Sequence, residues 1–68
     1  MRQYFFAYHN FHGQVYPMAW IVEDGITLGG HPQCVSDVIE ISKEEWEVLT
    51  LSELEGKYPR SAPTPQNQ

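Results

Sequence analysis

Two runs of this chain are apolar on both of the faces that a pleated strand presents, and that limits the fold more than any other feature. The first is Tyr4-Phe5-Phe6-Ala7-Tyr8; the second is Val15-Tyr16 and then Met18 to Val22, with Trp20 at its centre. Aromatic and β-branched residues at this density fit strands. Side chains alternate along a strand, so Tyr4, Phe6 and Tyr8 share one face while Phe5 and Ala7 share the other. In the second run Tyr16, Met18, Trp20 and Val22 oppose Val15, Ala19 and Ile21. A sheet with one wet face alternates apolar with polar residues. These runs do not.

The punctuation between the runs predicts a meander. Asn10-Phe11-His12-Gly13 reads as a type I turn, with Asn first and Gly fourth. Pro17 has no N–H to give a ladder and belongs at an edge or a bulge. Asp24-Gly25 between Glu23 and Ile26 is a hairpin signal leading into a short third strand, Ile26-Thr27-Leu28. After the loop Gly29-Gly30-His31-Pro32, Val38-Ile39-Glu40-Ile41 suits a fourth strand, although Cys34, Val35, Val38 and Ile39 also have helical spacing. Ser42-Lys43-Glu44-Glu45 is a capping box that opens a helix, with Trp46, Leu49 and Leu54 as its inward stripe. Thr50 and Ser52 allow a division into two short helices, with Ser52-Glu53-Leu54-Glu55 as the second cap and Gly56 as the stop. The expected fold is one small α+β domain over residues 1–58. It is an antiparallel meander of three to four strands packed by a C-terminal helical segment, followed by a flexible Pro-rich tail over residues 59–68.

Charge separates the chain into blocks. All nine acids fall between Glu23 and Glu55, whereas residues 1–22 carry Arg2 as their one charged side chain, and the net charge is −5. Four scattered Lys and Arg residues argue against direct nucleic-acid binding, which needs clustered cations on phosphates. No apolar run approaches the ~20 residues of a membrane span. The start, MRQYFFAYHN, lacks the aliphatic core and cleavage site of a signal peptide. Cys34 is the sole cysteine, so no internal disulfide can form and a reducing cytoplasm is the expected location.

One helix is ~10 Å wide and shields one sheet face at most. The other face is left with large amphipathic rings, the residues favoured at interfaces. The expected function is therefore a small acidic, non-enzymatic interaction module, an adaptor or inhibitor. Tyr4, Phe6, Tyr8, Tyr16 and Trp20 are its expected partner-binding residues, and Glu44 and Glu47 would offer acids to a basic partner. The partner is a protein, a second copy included, and no cofactor is required. Size and charge place the chain beside accessory and mobile-element products, by analogy and not by motif. The alternative is a module stabilised by one zinc. His9-Asn10-Phe11-His12 and His31-Pro32-Gln33-Cys34 both have the two-residue spacing of metal knuckles, which makes His9, His12, His31 and Cys34 the candidate ligands. Catalysis has less support, since Gly29-Gly30 lacks the Lys of a phosphate loop and Cys34 has only sequence proximity to His31.

Overall fold

The hydrophobic runs become the two long strands of a single sheet. In the computed structural model, which describes residues 1–30 and 32–61, the order is β1 (Arg2–Phe11), β2 (Gln14–Glu23), β3 (Ile26–Thr27), β4 (Val35–Ile41), α1 (Lys43–Val48) and α2 (Leu51–Lys57). All pairings are antiparallel and the spatial order is β3-β2-β1-β4. This is the expected α+β architecture, with the C-terminal helical segment divided into two short helices. The part of the expected tail over residues 62–68 lies outside the described residues.

The first hairpin is tighter than the sequence suggests. His12 (φ 49°) and Gly13 (φ 76°) form a two-residue turn with the paired positive φ of type I′, while Asn10 stays in β1 opposite Val15. That turn hand matches the twist of long strands, whereas type I splays them. Asp24 (φ 52°) and Gly25 (φ 84°) make the second such turn, as expected. Pro17 lies opposite Tyr8 in β2. Beyond it β3 pairs only with Val22 and Glu23, so this stretch of β2 is an outer edge. The Leu28 N–H donates to the Ile21 carbonyl on that side. Alternation turns the Pro17 backbone the same way, where a missing N–H breaks no ladder bond.

The fourth strand begins at Val35, earlier than the expected Val38. Phe6 faces Ile39 and Tyr8 faces Ser36, so Ala7 meets two residues, Asp37 and Val38, in a bulge with Asp37 at φ 55°. The bulge absorbs the extra residue that blurred the strand pattern. Ser61 straps this place: its N–H and hydroxyl donate to the Asp37 carboxylate at 3.2 and 2.6 Å, and hold that carboxyl below its ordinary pKa. Ser61, expected in the tail, is thus tied to the sheet.

Both helices open on reciprocal capping boxes, Ser42 with Glu45 and Thr50 with Glu53. The second cap is Thr50, not Ser52, and Gly56 lies inside α2, not at its stop. Tyr58 closes that helix, since Leu54 and Tyr58 continue one inward stripe at a spacing of four. Tyr4, Phe6, Tyr8, Ile41 and Leu54 form the buried core, with Trp46, Leu49 and Tyr58 packed on it. The helices therefore cover the face of β1 that carries Tyr4, Phe6 and Tyr8. β3 and β4 lie at opposite edges, and the chain between them crosses the other face, where Pro32 shares two hollows with Met18.

Phe6 is fully buried and Phe5 only partly, although they are neighbours. Phe6→Ala is expected to cost about 3–5 kcal/mol in urea unfolding and Phe5→Ala about half that or less. Equal losses would contradict the assignment of faces.

Candidate functional site

The side of the sheet away from the helices is apolar and only partly covered, by the segment between β3 and β4. Its centre is Phe5 and Trp20, which are direct ladder partners with rings stacked at 5.7 Å and 20°. Toward the first hairpin follow Met18, Tyr16 (46% exposed) and Phe11 (54% exposed). The Tyr16 hydroxyl donates to Gln14 Oε1 at 2.8 Å, so its polar tip is satisfied in the free chain. Val38, 47% exposed, adds an apolar contribution from β4. The crossing segment walls one part of this surface, and two shallow hollows lie between it and the strands. Along the whole side, Glu40 opposite Phe5 is the one carboxylate among the described residues, and no Lys or Arg joins it.

This geometry corrects the expected site. Tyr4, Phe6 and Tyr8 were expected to share a binding surface with Tyr16 and Trp20. The register sets Tyr4 opposite Ile21, Phe6 opposite Ala19 and Tyr8 opposite Pro17, all on the helix-covered face. They are 9%, 0% and 1% exposed. Burial of two helices' apolar stripe requires large rings beneath them, and these three supply it. Phe5 and Met18 take their place beside Tyr16 and Trp20. Strand alternation was the signal for this; what it lacked was the choice of face.

Glu44 and Glu47 are exposed on α1, and neither joins an ion pair among the described residues. Glu45 between them behaves differently. One carboxylate oxygen caps the Ser42 N–H, and the other accepts from Lys57 Nζ at 2.6 Å and the Tyr58 hydroxyl at 2.5 Å. Lys57, the Ser42 N–H and Tyr58 together hold the Glu45 carboxyl down at about 2. The same contact raises Lys57 and Tyr58. Tyr58 in turn accepts, through its carbonyl, a 2.6 Å bond from the Tyr8 hydroxyl, whose own pKa is raised first by burial. This network is structural: it ties α1, α2 and β1 together. The capping box pointed to Glu45, but nothing in sequence spacing pointed to Lys57, twelve residues on.

Of the candidate zinc ligands, His9, His12 and Cys34 lie in different local structures. His12 sits in the hairpin turn, its ring edge-on to Phe11 at 4.1 Å. His9 Nδ1 is 3.0 Å from the Gln33 carbonyl; a carbonyl only accepts, so Nδ1 carries the hydrogen. Cys34 is exposed at φ 54°, and its carbonyl accepts from the Asn10 N–H and side-chain amide at 2.8 and 3.2 Å. Among the described residues no group of three His, Cys, Asp or Glu side chains is placed to hold a metal ion, and His31 lies outside them. No helix among them is long and apolar enough to cross a membrane.

Compared with protein-family models, curated proteins and solved structures, the chain gives no match to any.

The Glu45 network makes stability depend on acid. A carboxyl depressed from 4.5 to about 2 in the folded state adds stability above its unfolded value, and that stability is lost as pH falls through this window. Thermal melts should therefore show the wild type losing stability more steeply below pH 4.5 than Glu45→Gln. Parallel curves would remove the network.

Proposed function

We propose that this chain is a small non-enzymatic protein-interaction module, an adaptor or inhibitor, whose open sheet face docks on a second copy and whose acidic helices face outward. The observation that carries this reading is the apolar side built on Phe5 and Trp20, free of charge except for Glu40. A chain of net charge −5 repels its own copies through any surface that bears its acids. Here every acidic side chain but Glu40 lies on the helices, at the second hairpin or on the β4 edge, so the nearly neutral side is where association meets least opposition. Two sheets packed face to face stand ~10 Å apart, which separates the two helix layers by roughly 30 Å, several times the ~8 Å screening length.

Area sets the strength. With strands of 10, 10, 2 and 7 residues the sheet covers roughly 460 Å² in projection, part of it under the crossing segment. A standard interface buries about 800 Å² per partner. The dimer is thus weak and concentration-dependent, which suits a module that exchanges its own copy for a partner's apolar surface.

Sedimentation over a concentration series tests this. The wild type should shift from monomer toward dimer between roughly 1 μM and 1 mM, a range typical of weak interfaces. Trp20→Lys should stay monomeric, while Glu47→Lys should still associate. A wild type that remains monomeric throughout overturns the reading.

A further inference from the structure

A second docking surface lies on the opposite side of the sheet. α1 packs against β1 and α2 against β2, and a notch over β2 is lined by Ala19, Trp46, Leu49, Leu51 and Leu54. Ala19 is the small floor, and a larger residue there would close the space. The notch holds about 230 Å³. An apolar cavity of roughly 150 Å³ already takes benzene, so this one admits a single large side chain. Leu51 at its rim is 43% exposed, and Val48, the last residue of α1, is 67% exposed.

The charges around it choose the partner. The helices carry five glutamates against Lys43 and Lys57, and Lys57 is already held by Glu45. Trp46 also lines the adjoining hollow with Glu47, Lys43 and Arg2, and Arg2 there is paired with Glu23 at 2.5 Å. The uncompensated charge is negative. We propose that this notch binds a basic protein segment by accepting one aliphatic or aromatic anchor while lysines or arginines flank it against Glu47, which shares the adjoining hollow with Trp46, and the other unpaired helix glutamates. An apolar pocket with a charged rim is the usual layout of such an anchor site.

The test uses the full chain with Trp20→Phe, which leaves Trp46 as the single tryptophan. The probe is a synthetic amphipathic peptide of leucine and lysine, compared with the same peptide carrying aspartate for lysine. The lysine peptide should shift Trp46 emission to the blue in a saturable titration, and should bind more weakly as salt rises from about 50 mM to about 500 mM. Ala19→Leu should weaken binding by roughly tenfold or more by filling the floor. Leu51→Lys, on the half-exposed rim, should weaken it similarly. No binding of the lysine peptide, equal binding of the aspartate peptide, or binding indifferent to both substitutions overturns the proposal. Trp20→Lys should leave binding unchanged, so this site and the dimer seam stand or fall separately.

Discussion

The fold depends on covering one face of β1. Tyr4, Phe6 and Tyr8 point to the same side, and α1 and α2 close over them through Trp46, Leu54 and Tyr58. Burying a tyrosine hydroxyl without a partner would cost as much as its ring gains. The Tyr8 hydroxyl avoids this by donating to the Tyr58 carbonyl, at the end of α2 where carbonyls lack helical partners. Glu45 then fixes Tyr58 and Lys57 from α1. Two helices of six and seven residues are too short to persist alone, and this cross-tie with two capping boxes is what defines their position.

Having spent its helices on one side, the chain has none for the other. Association through the sheet edges is also discouraged. The outer edge of β2 carries Pro17, and the β4 edge is bent by the Asp37 bulge and strapped by Ser61. Proline and bulges are common ways of blunting an edge strand. The faces are then the route left for contact: a neutral aromatic one behind, and an acidic one with an apolar notch in front. Charge segregation along the sequence becomes segregation across the sheet, because the acid-poor first third forms the central strands and the acid-rich third forms the helices.

Much of this was legible in the residues. Aromatic alternation, Asp24-Gly25 and Ser42 with Glu45 each have a local cause, so strands, hairpin and helix start followed from them. The face of burial did not follow, because Tyr4, Phe6 and Tyr8 are no more apolar than Phe5, Trp20 and Met18. That choice rests on contacts across about fifty residues, between Tyr8 and Tyr58, which no spacing rule encodes. Gly56 misled as a helix stop because the Leu54 and Tyr58 packing extends the helix past it. The bulge hid the start of β4 by shifting its period by one residue. Spacing pairs His9 with His12 and His31 with Cys34, whereas the placement of His9, His12 and Cys34 depends on the hairpin turn and the crossing segment.

The central claim is that one side of the sheet is sealed by the chain's own helices and the other by a second copy. Aromatic proton relaxation by a soluble paramagnetic chelate, recorded at two protein concentrations, tests it most directly. The account predicts that Phe6 and Tyr8 are protected at both concentrations, while Phe5 and Trp20 are broadened in dilute protein and protected in concentrated protein. Broadening of Phe6, or equal broadening of Trp20 at both concentrations, would contradict it.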